Sequence, residues 1–127
     1  MPAFQTAKGA ELVALGTSDP VKAAPFLAVV PGLQGMGYED LLADPSVDAV
    51  YIPLPNHLHV DWTIRVLRAG KHVLCERPLA LAASDIDRVI AVRDATGLLA
   101  AEGFKVAHHP QWARDLLAEG AIGLLGH

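Results

Sequence analysis

The stretch Asp48-Ala-Val-Tyr-Ile-Pro-Leu-Pro-Asn-His-Leu-His-Val-Asp-Trp-Thr-Ile-Arg-Val-Leu-Arg-Ala-Gly-Lys-His-Val-Leu-Cys75 decides the fold. Asp48–Ile52 is short and apolar without alternation, and Pro53 closes it. That pattern predicts a strand buried on both faces, as in a parallel sheet covered by helices. From about His57 to Ala69 the period becomes helical: Asp61, Arg65 and Arg68 form a polar stripe opposite Val60, Ile64 and Leu67. Asn56 is expected to cap this helix and Gly70 to end it. His72–Cys75 is apolar again. A strand, a helix-length crossover and a second strand close almost always as a right-handed parallel unit.

The same punctuation continues outward. Glu11–Gly16 and Leu98–Glu102 are further expected strands, and helical patterns occupy Pro20–Val30, Tyr38–Ala43, Ala83–Thr96 and Gln111–Glu119. In the third of these, Ser84 with Asp87 resembles a capping box, Ile86, Val89 and Ile90 are expected to face inward, and Gly97 is the stop. Pro31-Gly-Leu-Gln-Gly-Met-Gly37 follows a helix rather than a strand, so it is expected as a loop and not as a phosphate-cradling glycine motif. The sum is α/β, a doubly wound parallel sheet. Met1 to Lys8 read as the last turns of a helix, and Gly120 to His127 as a connection toward another strand. The sheet is therefore expected to be incomplete, without the strand that precedes its first helix.

With 127 residues, no linker and no internal repeat, the chain is expected to be one partial domain over residues 1–127. Fourteen acidic and ten basic residues give a net charge of −4 with no basic run, which argues against nucleic acid and anionic membranes. No apolar run approaches the about 20 residues of a membrane helix, and the N-terminus lacks a signal-peptide pattern. A lone Cys75 fits a reducing compartment, so the expected location is cytoplasmic.

In an open parallel sheet, ligands sit beyond the carboxyl ends of the strands. Four loops fall there: Thr17-Ser18-Asp19-Pro20, Pro53 to His59, Glu76-Arg77-Pro78, and Gly103 to Pro110. Each also has a plain structural reading. Thr17 to Asp19 is an ordinary helix start, the two prolines around Leu54 make a rigid strand exit, and Glu76 with Arg77 can form a surface ion pair. His57-x-His59 and His108-His109 lack the helical i, i+4 spacing and any acidic or cysteine ligand at a recognisable interval, so no metal is expected. Cys75 reads as a small buried apolar residue.

Asp48 to His59, Ala69 to Ala80 with Gly-Lys-His-Val-Leu-Cys-Glu-Arg-Pro, and Phe104 to Trp112 with His-His-Pro-Gln-Trp together resemble the Gfo/Idh/MocA oxidoreductases, with dihydrodiol and xylose dehydrogenases closest in flavour. The resemblance runs from Glu11 to Gly123. It implies a Rossmann-type domain for NAD or NADP, normally joined to a C-terminal α+β substrate domain, and an oxidoreductase or dehydrogenase acting on a secondary alcohol of a sugar, cyclitol or diol. By position it places Thr17 and Ser18 near the adenine ribose, and Leu54, Pro55, Asn56 and His59 along the ribose and nicotinamide. Glu76 and Arg77 stand where the family carries Glu-Lys-Pro, with a bond before the proline that is often cis. Arg77 and His109 are then the catalytic candidates. Ser18 replaces an arginine common in NADP-using relatives and tilts the expectation to NAD. Arg77 replaces a lysine, and a guanidinium that never loses its charge can orient an anion but cannot relay a proton. The partners so implied are the nicotinamide cofactor and a small polyol or sugar, and a homo-oligomer is compatible with them. The rival reading is a non-catalytic, degenerate Rossmann module that packs on a partner chain.

Overall fold

The computed structural model describes residues 8–104. The expectations for residues 1–7, for Gln111–Glu119 and for the stretch from Gly120 lie outside the described residues. Five strands and four α-helices alternate: β1 (Ala14–Gly16), α1 (Pro20–Leu27), β2 (Gln34–Met36), α2 (Tyr38–Ala43), β3 (Ala49–Ile52), a 3-10 turn (Asn56–Leu58), α3 (His59–Arg68), β4 (His72–Cys75), α4 (Ala83–Thr96) and β5 (Ala100–Glu102). Every strand pairing is parallel. The strands fall into two sheets rather than one, β1-β2 and β3-β4-β5.

The glycine-bearing stretch expected as a loop contains β2. Gly35 explains why both readings exist: it has no side chain to signal a strand, yet a Cβ there would meet Leu27 Cδ1 at 3.0 Å. Its register partner is Leu15, on the α1 face. On the opposite face a Cβ at Gly16 would meet Leu41 and Tyr38 of α2 at 3.0 and 3.1 Å. Glycine on each face thus lets α1 and α2 close onto the two sides of this small sheet, the doubly wound arrangement.

The three-stranded sheet buries one face only. Ile52, Val73 and Cys75 are buried with Val60, Ile64, Val66 and Leu67 of α3 and Val89 of α4. The alternate residues Tyr51 and Leu74 remain 37% and 39% exposed. Among the described residues, α3 and α4 cover one side of these strands and no helix covers the other.

Helix ends show the same mixture. Asp19 caps α1 by accepting from Val21 N at 3.0 Å. Gly97 ends α4 in the left-handed region at φ 69°, and Gly70 follows α3 at φ 80°. Asn56 does not cap α3. It opens the 3-10 turn, because Pro55 and Leu58 hold the backbone positions before each helical segment. Ser84 is likewise no cap, since α4 already starts at Ala83 and Ala82 precedes it without a side-chain bond. Ile90 is exposed, leaving Val89 as the buried contact of α4.

The two sheets are joined by their helices. Tyr38 of α2 stacks edge-on against Trp62 of α3 with ring centroids 4.9 Å apart, and Glu39 pairs with Arg65. Lys71, buried just after α3, donates to the carbonyls of Asp44 at 2.6 Å and Val47 at 2.8 Å. The buried ammonium thus ties the carbonyl end of α2 to the turn that leads into β3. No helix among the described residues is long and apolar enough to cross a membrane.

Candidate functional site

Parallel strands bring their following loops to the carboxyl ends of the strands; the turn after β1 is held by its own side chains, and the loops after β3 and β4 by side chains that reach across from other elements. The turn after β1 is fixed by Thr17, whose hydroxyl donates to the Asp19 carbonyl at 2.8 Å and accepts from Asp19 N at 3.0 Å. Asp19 is turned into α1 as its cap, so Ser18 is the exposed side chain of this turn.

The loops after β3 and β4 are tied together by His59. Its ring is 1% exposed, with Nε2 2.6 Å from the Leu54 carbonyl and Nδ1 2.7 Å from the Pro78 carbonyl. The imidazole therefore bridges the backbone of both loops. Pro55 and Asn56 are exposed beside it, and Leu54 is half-buried. Tyr51 adds a second tie, its hydroxyl donating to Glu76 Oε1 at 2.6 Å. Burial, and then the adjacent Glu76 carboxylate, push the Tyr51 phenol up to about 12.

Past β4 the chain turns through a cis Arg77-Pro78 bond. Leu79 N donates to Glu102 Oε1 at 2.9 Å, which anchors the exit of this corner to the end of β5. The Arg77 guanidinium is exposed and lies 4.5 Å from the ring centre of Phe104. A cation over an aromatic face is held in direction while its donors stay accessible. Gly103 crosses close to this corner, donating to the Cys75 carbonyl at 2.7 Å. A Cβ there would lie 3.4 Å from that oxygen.

The sequence-predicted residues thus fall into three groups. Leu54, Pro55, Asn56, His59, Glu76 and Arg77 share one cluster, Thr17 and Ser18 stand at the end of the other sheet, and His109 lies outside the described residues. The bland reading of Glu76 and Arg77 as an ion pair with each other is corrected: Glu76 is engaged by Tyr51, and Arg77 stacks on Phe104. Three supporting residues were not singled out from the sequence. Glu102 and Tyr51 carry no motif, since each acts on a residue more than twenty positions away. Lys71 reads in sequence like any surface cation after a helix stop. Burial also pushes the Cys75 thiol up, away from the reactive thiolate, and the Thr63 hydroxyl offsets this only in part. No group of three or more His, Cys, Asp and Glu side chains able to hold a metal occurs among the described residues.

Residues 1–104 match the model of the Gfo/Idh/MocA oxidoreductase family, NAD-binding Rossmann fold. The chain belongs to this family. An uncharacterized oxidoreductase of Rhizobium meliloti is 46% identical over 126 residues, covering 97% of this chain and 38% of that protein. The dTDP-3,4-didehydro-2,6-dideoxy-alpha-D-glucose 3-reductase of Saccharopolyspora spinosa is 40% identical over 127 residues, covering 98% and 38%. Among solved structures, a 3-ketoreductase from Actinomadura kijaniata in complex with NADP superposes with TM-score 0.87 at 42% identity, covering 96% of this chain and 40% of that one. The chain therefore spans about two-fifths of the length of these Gfo/Idh/MocA relatives.

Proposed function

We propose that this chain is the nicotinamide-binding part of an oxidoreductase that interconverts a secondary alcohol and a ketone on a sugar-class substrate. The observation that carries the reading is the Glu76-Arg77-Pro78 corner, held at the sheet edge from three directions by Tyr51, His59 and Glu102. Such over-determination suits a loop that must present a cation to a reacting oxygen within a fraction of an ångström. The sugar reductases among the relatives support the substrate class.

The donor set suits a dinucleotide at both ends. Thr17 and Ser18 would take the adenine-side ribose, and Leu54, Pro55 and Asn56 would line the nicotinamide side. His59 would contribute by fixing those loops rather than by touching the cofactor, because both its nitrogens face carbonyls. Asp19 spends its carboxylate on α1, so Ser18 and the exposed Lys22 offer a hydroxyl and an ammonium at the ribose edge. That set tolerates a 2′-phosphate as well as a hydroxyl, and we infer that NADP is accepted at least as well as NAD, against the lean from Ser18 alone. The bound nicotinamide supplies or takes the hydride. Arg77 would orient the substrate oxygen and stabilise its negative charge as an always-charged donor. His109 remains the candidate for the proton. The substrate pocket itself we assign to a following α+β domain.

A chimera tests this reading. Residues 8–104 replace their counterparts in the Actinomadura kijaniata 3-ketoreductase, and NADPH binding is followed by fluorescence and its oxidation by absorbance. Binding within about tenfold of the parent, or about 1.4 kcal/mol, is the expected result. A folded chimera that leaves NADPH unbound would overturn it.

A further inference from the structure

The end of β5 grips the Arg77 corner at three points with three successive residues. Glu102 Oε1 accepts from Leu79 N at 2.9 Å, on the far side of Arg77 in the chain. Gly103 N donates to the Cys75 carbonyl at 2.7 Å, on the near side. Phe104 takes Arg77 itself, with Cζ of the guanidinium 4.5 Å from its ring centre. Phe104 N donates in turn to the Glu102 carbonyl at 2.7 Å, a tight turn that fixes where the ring leaves the chain. The two backbone ties settle the position of the Arg77 Cα but leave its long side chain rotamer freedom. No salt bridge holds that side chain among the described residues.

We propose that Phe104 is a positioning residue for the reaction, a reading that rests on the assignment of Arg77 to the substrate oxygen. Its ring holds the guanidinium in the orientation from which the N–H groups reach that oxygen, and it touches neither substrate nor cofactor to do so. Glu102 and Gly103 place the backbone of the corner, and Phe104 places the charge. The chemistry of arginine calls for this third grip. A guanidinium is planar and carries its donors in a fixed fork, further from the backbone than the ammonium of a lysine, so the direction of the fork decides what it can meet. An aromatic face attracts the cation and restricts that direction without using a single N–H. A carboxylate in the same place would hold the guanidinium by consuming the donors that the substrate needs.

Two measurements test this. In the full 127-residue chain, proton NMR reads the ring-current shift that Phe104 imposes on the δ-methylene of Arg77. An upfield shift is expected, kept in Phe104→Tyr and lost in Phe104→Leu. Phe104 is 40% exposed, so both variants should stay folded by circular dichroism. In the chimera, turnover is followed on the keto sugar of the parent reductase. Phe104→Leu should lower kcat about 10-fold, short of the about 10²-fold that a 1 Å misplacement costs, with NADPH affinity unchanged, and Phe104→Tyr should restore it. In an Arg77→Met background, Phe104→Leu should change kcat by less than about twofold, because the ring then has no cation to hold. A residue that only supports the fold would slow both backgrounds alike. Arg77 shifts that are equal in the native chain and Phe104→Leu overturn the proposal, as does a kcat loss of the same size in both backgrounds or in neither. A chimera that leaves NADPH unbound overturns the cofactor reading instead, and the NMR comparison then decides by itself whether Phe104 holds Arg77.

Discussion

The hydroxyl of Tyr51 donates to the carboxylate of Glu76 at 2.6 Å, joining the end of β3 to the first residue beyond β4. Because burial and this carboxylate raise the phenol to about 12 from its ordinary 10.0, the folded chain holds the proton more tightly than the unfolded chain. The resulting stabilisation is complete below pH 10 and lost as pH rises through 12. Tyrosinate absorbance should therefore show a late-titrating phenol that disappears in Tyr51→Phe and moves down in Glu76→Gln. An unchanged titration curve in Tyr51→Phe would show the tie to be absent in solution.

Leu67 is fully buried at the centre of the cluster formed by α3 and the three-stranded sheet. Leu67→Ala should cost about 2–5 kcal/mol, the range for a truncated core leucine whose surroundings relax incompletely. Ile90→Ala, on the exposed side of α4, should stay within about 1 kcal/mol. Urea unfolding of the two variants separates them, and equal losses would mean that the core is misplaced.

Lys71 donates to the carbonyls of Asp44, at the end of α2, and of Val47, in the turn beyond it, so Lys71→Met removes a donor from each and leaves Asp44 only the longer bond from Val47 N. A loss of about 1–3 kcal/mol is expected, set by the desolvation of the buried Val47 carbonyl. Arg68→Met, only three residues earlier and exposed, serves as the comparison and should change stability by less than about 0.5 kcal/mol.

None of the described residues forms a glycine turn that follows a strand and offers several backbone amides to a pyrophosphate. Each charge-assisted hydrogen bond of that kind is worth about 1.5–3 kcal/mol. The 127-residue chain by itself should bind NAD and NADP with Kd above about 1 mM by calorimetry, about 4 kcal/mol or less. Affinity tighter than about 100 μM would place the cofactor contacts elsewhere.

Arg77 over Phe104 presents a charge that does not titrate. In the chimera, Arg77→Lys should raise turnover, because a lysine beside the nicotinamide can shift its pKa and share a proton with the substrate oxygen. Proton-transfer positions contribute about 10²–10⁴-fold, which an absorbance assay of NADPH resolves easily. An unchanged or lower rate would assign Arg77 an orienting role of its own.

The helices and most strands were legible because their signals are local. Val60, Ile64 and Leu67 fall on one stripe of α3, and Gly70 and Gly97 stop their helices with the positive φ that glycine alone adopts without cost. β2 was not legible, since Gln34-Gly35-Met36 has neither β-branched residues nor apolar alternation, and its strand character comes from β1 beside it and α1 above it. The caps failed for a similar reason. Asn56 and Ser84 are good cap residues, but the prolines at 53 and 55 and the early start of α4 set the backbone first. Of the candidate site, the loops were readable from strand ends, whereas the ties from Tyr51, His59 and Glu102 that shape them span 19 to 25 residues and leave no trace in a local pattern.

Trp62 lies where the two sheets are bridged, edge-on to Tyr38 and with the Arg65 guanidinium 4.1 Å from its ring centre. An indole so placed is a native fluorophore at the seam, and the chain has only one other, Trp112. With Trp112→Phe, the emission of the remaining indole and the energy it receives from Tyr38 become an optical gauge of how far the α2 side stands from the α3 side. Separation of the halves can then be watched without an attached dye, as an event distinct from the melting of either one.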